Sequence, residues 1–192
     1  MRESRPSGVV RGAPSNGCPY RDPTPEQQQD YAQTAWREVG LDRFQFLFDQ
    51  HALSLHGEPY PDSTHYWAGI VAFLNSPQFL WFARDLTGMA DIAFTDAQAT
   101  RYRAGHFLPA HDDNTSGTNR LAAYVLSFTS AWRPKWGGLL EFLDDAGQVE
   151  AGFVPGFNAL KLFRVPMTHY VSIVAPYATV GRYSITGWLR AR

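Results

Sequence analysis

The chain has 192 residues, enough for one domain or one domain with a tail; 44% are hydrophobic and 18% charged, which provides a sizeable core and excludes wholesale disorder. Lys and Arg number 17 against 18 Asp and Glu, a formal net charge of -1, which excludes the strongly basic footprint of a general nucleic-acid binder. Cys18 is the single cysteine, so neither an internal disulfide nor a zinc-finger-type cluster is available, and a reduced, cytoplasmic setting fits.

Residues 1–23 carry Pro6, Gly8, Gly12, Pro14, Gly17, Pro19 and Pro23 and few large apolar side chains, so a flexible leader without a signal-peptide core is expected there. Thr24-Pro25-Glu26 then opens a helix: Thr24 can cap the free amides, Pro25 suits the first turn, and Gly40 ends the helix after Val39. Residues 41–48 alternate partially and predict a strand. Residues 51–62, rich in His, Gly and Pro, read as a loop. Asp62 or Ser63 is expected to cap a second helix through Leu74, and Ser76-Pro77 starts a third that stops near Gly88. The longest uncharged stretch, residues 63–83, holds Asn75, Ser76, Pro77 and Gln78 at its centre, which argues for buried soluble structure and no membrane span. From about Ile92 short β-rich runs alternate with turns: 97–103, 121–128, 138–143, 149–153, 159–165, 169–174 and 182–189. Asp144-Asp145-Ala146-Gly147 signals a hairpin and Pro155-Gly156-Phe157-Asn158 a second turn. Helices first and a β half after predict a mainly β, α+β chain with a sandwich or jelly-roll core. A single domain is expected over 24–192, with helical support over 24–90 and the β core over 91–192.

His111-Asp112-Asp113 is the first chemical signal. In an extended segment, side chains two apart share a face, so His111 and Asp113 can offer a nitrogen and a carboxylate oxygen to one metal while Asp112 points away. His169, at the start of a later β run, is the natural third ligand. Two His and one carboxylate leave open cis positions, the set used by non-haem Fe(II) oxygenases. The blander reading is that an HxD triplet is common and that a single His before a strand is usually surface or core. The same three donors could also hold zinc in a hydrolase. His106 reads as lying near the cofactor or on the surface, and Trp132, Arg133, Lys135 and Trp136 as a substrate rim or as simple packing.

Residues 102–188 resemble the prolyl-4-hydroxylase-type 2-oxoglutarate/Fe(II) dioxygenases. The matching pieces are Tyr102-Arg103-Ala104-Gly105-His106-Phe107-Leu108 ahead of the HxD triplet, the strand from Arg120 to Phe128, Gly137-Gly138-Leu139-Leu140-Glu141-Phe142, Asn158-Ala159-Leu160-Lys161-Leu162-Phe163, His169-Tyr170-Val171, and Arg182-Tyr183-Ser184-Ile185-Thr186-Gly187-Trp188. Singly each is weak; in order and spacing they are specific. The resemblance implies a double-stranded β-helix, with His111, Asp113 and His169 as both metal ligands and catalytic centre. It implies that Arg182 anchors the distal carboxylate of 2-oxoglutarate, for which a planar guanidinium fork is suited. Ser184, two residues on, would share that face and add a hydrogen bond, and Tyr102 would donate its hydroxyl to the same carboxylate. The gap from His169 to Arg182 is slightly longer than is usual in the family, and the extra length falls in residues 175–181. Tyr124 and Leu126 share one face of their strand, Val125 and Ser127 the other; the alternation does not decide which points inward.

The function implied is hydroxylation of a C–H bond, of a prolyl residue in a protein or of a related amino-acid or small-molecule substrate. Fe(II), 2-oxoglutarate and O2 would take part, ascorbate could assist, and succinate and CO2 would be released. Asp113 favours hydroxylation, because related halogenases lack that carboxylate. The partners are 2-oxoglutarate, O2 and the substrate, with no nucleic acid and no membrane. Loop 51–64 is a candidate lid. The competing class is a non-catalytic metal-binding jelly-roll interaction module.

Overall fold

The computed structural model describes residues 24–60 and 64–192; the expected leader 1–23, Asp62 and Ser63 lie outside them. Helix α1 spans Pro25–Val39, and its N-terminus is a reciprocal capping box. Thr24 Oγ1 accepts from the Gln27 amide at 3.3 Å, and the Gln27 side chain accepts from the Thr24 amide at 2.8 Å. Helix α2 spans His65–Leu74 with Thr64 at its N-cap, and α3 spans Pro77–Thr87. Ser76 caps α3 by accepting from the Phe79 amide, and Gly88 ends it at φ 71° in the left-handed conformation. None of these helices is long and apolar enough to cross a membrane.

Twelve strands follow in chain order among the described residues: β1 (Asp49–Ala52), β2 (Ser54–Leu55), β3 (Glu58–Pro59), β4 (Phe94–Thr95), β5 (Gln98–Tyr102), β6 (Leu108–His111), β7 (Arg120–Phe128), β8 (Leu140–Leu143), β9 (Val149–Phe153), β10 (Phe157–Arg164), β11 (His169–Val171) and β12 (Arg182–Arg190). The larger antiparallel sheet runs β1-β5-β12-β7-β10, with β4 also pairing β12; the smaller runs β6-β11-β8-β9. The helices and the two facing sheets make the expected mainly β, jelly-roll architecture. The Asp144–Gly147 turn joins β8 to β9 as an antiparallel hairpin.

Residues 41–48 do not form the expected strand. Only Leu47 pairs, as an isolated bridge to Phe107, and the strand starts at Asp49. The partial alternation had another cause: Leu47 packs on Ala35 under α1, while Phe46 and Phe48 pack toward Tyr102 between the sheets. Residues 51–60 are likewise not a plain loop. They finish β1 and form the β2–β3 hairpin, tied down where Leu53 and Ser54 bond to Ala97.

Two apolar layers position everything else. Ala97, Ala122, Tyr124, Ile185 and Leu189 cover the outer face of the large sheet against Val71, Leu74, Leu80 and Ala83 of the helices. Tyr102, Val125, Leu140, Phe142 and Val171 fill the space between the two sheets. Val125 and Ser127 therefore face inward, and Tyr124 faces the helices. Both faces of β7 are buried, so alternation of hydrophobicity could not reveal this. Gly187 is required where β4 gives way to β5. The Asp96 carbonyl presses against it and also accepts from the Tyr124 hydroxyl, so a Cβ at position 187 would collide with both.

Candidate metal and carboxylate site

His111 ends β6 and His169 begins β11, and the two residues sit opposite each other in the register of the small sheet. Their rings lie 4.2 Å apart, centroid to centroid. Each ring is oriented by its Nδ1: His111 Nδ1 lies 2.9 Å from the Pro109 carbonyl, and His169 Nδ1 lies 2.7 Å from the Met167 carbonyl. With Nδ1–H donated to those carbonyls, each Nε2 lone pair faces the space between the rings. Asp113 completes the cluster. Its Oδ1 is 3.6 Å from His111 Nε2 and its Oδ2 is 3.6 Å from His169 Nε2. One donor atom from each of the three residues lies within 4.8 Å of the others. Bonds of about 2 Å from one ion could reach such a set, and an N2O donor set with open positions suits ferrous iron.

The route by which Asp113 arrives differs from the expectation. The strand ends at His111, and Asp113 has φ 61°, so a left-handed turn, and not strand alternation, swings it back beside His111. Asp112 is exposed and accepts from the Asn114 amide at 2.9 Å, a turn role.

The same cavity, about 80 Å3, is lined by Arg182, Tyr102 and Ser184 as well as by the three donors. Arg182 is 3% exposed, and its Nε and Nη1 have no hydrogen-bond partner among the described residues. Its guanidinium stands 4.9 Å from the centre of the Tyr102 ring, and Tyr102 stacks on Phe48 at 4.8 Å. Burial lowers the Arg182 pKa and raises that of Tyr102, so the phenol stays neutral and the guanidinium is left as an uncompensated buried cation. Such a group is costly unless an anion joins it. Ser184 Oγ lies 2.8 Å from Thr100 Oγ1, and Ser127, in register with Ser184, keeps a buried hydroxyl without a partner. Ser127 does not line the cavity; the unpartnered Arg182 nitrogens and the Ser184 hydroxyl do, and they fit a carboxylate.

Sequence reasoning did not single out Arg120, Phe163, Thr100 or Ser127. Arg120 lies 3.6 Å over the Trp188 ring, donates to the Asp113 carbonyl at 3.1 Å, and approaches Asp113 Oδ1 at 3.8 Å. In sequence it looks like an ordinary cation at a strand end. Replacing Arg120 by Ala is expected to loosen the Asp113 turn and weaken metal affinity by about 10–100-fold, the cost typical of removing a group that orients a ligand. A Co(II) titration of the two proteins checks this. Phe163 packs its ring 4.7 Å from His169 and was read only as a strand residue.

Several candidates fall elsewhere. His106 is buried but does not line the cavity. Burial pushes its pKa down to about 4. The unfolded chain therefore binds the His106 proton first, and this part of the stability is lost as pH falls from about 6.5 toward 4. A His106→Phe variant that still folds is expected to show a flatter Tm profile across that window by calorimetry. Residues 51–60 do not line this cavity, and residues 61–63 of the expected lid lie outside the described residues. Trp132 and Trp136 pack edge to face at 5.4 Å, Trp132 donates to the Gly137 carbonyl, and neither ring lines the cavity.

Residues 97–190 match the model of the 2OG-Fe(II) oxygenase superfamily. No curated protein matches the chain. Among solved structures, a Pseudomonas putida prolyl-4-hydroxylase is similar at 18% identity and TM-score 0.58, with 86% of each chain covered. A Burkholderia pseudomallei oxidoreductase of the 2OG-Fe(II) oxygenase family reaches 16% identity and TM-score 0.58, covering 72% of this chain and 64% of its own. A Phytophthora capsici prolyl 4-hydroxylase gives 24% and 0.52, covering 64% and 42%. These likenesses speak for the fold. The family model matched over residues 97–190 and the clustered His-Asp-His donors together support a 2OG-Fe(II) oxygenase, a dioxygenase enzyme.

Proposed function

We propose that the enzyme hydroxylates a C–H bond, of a prolyl residue in a protein or of a related amino-acid or small-molecule substrate. The balance is substrate, 2-oxoglutarate and O2 giving hydroxylated product, succinate and CO2. His111, Asp113 and His169 would hold Fe(II); Arg182, helped by Tyr102 and Ser184, would take the distal carboxylate of 2-oxoglutarate. One observation carries the reading: three clustered metal donors share a cavity with a buried guanidinium whose Nε and Nη1 have no partner among the described residues. A pure scaffold needs neither, and a zinc hydrolase leaves Arg182 unexplained. The prolyl assignment is supported by the similar prolyl-4-hydroxylase structures.

The residues divide the work. The Nδ1 atoms of His111 and His169 face the Pro109 and Met167 carbonyls, which orients both rings and leaves each Nε2 as the atom offered to a metal. Burial and the neighbouring His111 lower the His169 pKa, which keeps that imidazole unprotonated and available. Arg182 fixes one end of the co-substrate and so aims its other end at the donor set. Phe48, Leu108, Val125, Leu140 and Val171 line the cavity and exclude water from it. Bound iron would supply O2 activation and the oxidative decarboxylation of the co-substrate.

The test is succinate released from 2-oxoglutarate by the Fe(II)-loaded protein in oxygen and ascorbate, with and without proline-containing peptides and free proline. Substrate-stimulated succinate with a product heavier by one oxygen atom supports the proposal. No metal-dependent succinate under any of these conditions overturns it.

A further inference from the structure

A second cavity opens on the far side of Phe163. It occupies about 570 Å3 between β9 and β10, the outer strands of the two sheets. Phe142, Phe153 and Phe163 line it: Phe142 meets Phe163 at 4.9 Å and Phe153 at 5.9 Å, both edge to face. Met167 extends the apolar wall. Three charged residues also line the cleft. Arg164 is occupied, donating to the Thr87 carbonyl, and Glu150 stands on β9. Lys161 is different. It is half-buried and alternates with Phe163 onto the inner face of β10, and among the described residues no carboxylate pairs with it. Its neighbour is the Phe153 ring, 5.9 Å from Nζ.

We propose that this cleft is a second binding site for an amphiphilic anion. The carboxylate or sulfonate head would sit at Lys161 and the aromatic or alkyl body on the Phe142, Phe153 and Phe163 rings. A lysine directed inward on an outer strand can serve simply to block strand pairing, but that role needs neither a cleft nor an aromatic floor. Burial and the charge of Arg182 both depress the Lys161 pKa, so an incoming anion relieves an unfavourable cation. The edges of flat rings carry partial positive charge, which also suits an aromatic guest. Because Phe142 and Phe163 both pack on His169, at 6.0 and 4.7 Å, an occupant would rest against the ring pair behind one of the proposed metal ligands.

The probe is anilinonaphthalene sulfonate, whose fluorescence rises in apolar sites, titrated into the metal-free protein. Saturable binding at one dye per chain is expected, about tenfold weaker in Lys161→Met, which keeps the alkyl stem and removes the charge. Lys161→Gln and Phe153→Ala, each verified as folded by circular dichroism, should weaken it as well. Unchanged affinity in both lysine variants overturns the proposal. So does competitive displacement of the dye by 2-oxoglutarate with Mn(II), because the dye would then be reporting the Arg182 cavity. Neither outcome depends on catalytic turnover.

Discussion

Replacing His111 by Ala is expected to abolish Fe(II) binding and substrate-dependent succinate release, by at least about a thousandfold, equivalent to about 4 kcal/mol. His111 is the informative choice because it is only partly buried, whereas His169 is 4% exposed and packed against Phe142 and Phe163. Removing His169 would open a hole in the layer between the sheets and confuse a lost ligand with a weakened fold. His111→Ala should keep the native circular dichroism spectrum and Tm of the metal-free protein while losing metal. The remaining pair, Asp113 and His169, would hold an ion by two donors, too few to orient the co-substrate. Retained stoichiometric Co(II) binding in His111→Ala would show that the three residues do not form the metal centre.

Arg182→Met is expected to raise the 2-oxoglutarate dissociation constant by about 150–4,000-fold. Deleting one partner of a buried ion pair costs about 3–5 kcal/mol, because the co-substrate carboxylate would enter the cavity unpaired. Metal binding should stay within a few-fold, since the lost group belongs to the carboxylate end. The same substitution should have the opposite effect on the empty protein. Arg182 Nε and Nη1 are buried without acceptors among the described residues, so an apolar side chain of similar length removes a desolvated charge and is expected to raise Tm. Weakened 2-oxoglutarate binding together with a more stable empty protein separates a binding role from a structural one. Unaltered 2-oxoglutarate affinity would remove Arg182 from the site.

The elements legible from the amino-acid order were those fixed by local chemistry. Thr24 and Ser76 announce helices because their hydroxyls satisfy free amides, and Gly88 ends one because it tolerates a left-handed backbone. The β runs were legible where turn residues bound them, as around residues 144–147. What failed was decided at a distance. Residues 44–48 alternate because two different cores flank them, not because they pair along a sheet. The three donors could be named because few residue types bind metal, but the turn that swings Asp113 into place is not written in an HxD triplet. Arg120 was invisible for the same reason: only the folded chain sets it over Trp188 and against Asp113. Ser127 required knowing which side of β7 faces inward, and both sides are apolar.

Strand β12 lies between β5 and β7 in the large sheet, yet it is the last of the strands in chain order. It also carries Arg182 and Ser184. During synthesis the chain emerges from its N-terminal end, so β5 and β7 must wait with bare backbone edges until residues 182–190 leave the ribosome. The nascent polypeptide is therefore open to sticking to its neighbours up to the final step of sheet closure. Arg182 and Ser184 arrive with that strand, so the buried cationic side of the cavity is assembled only at that step.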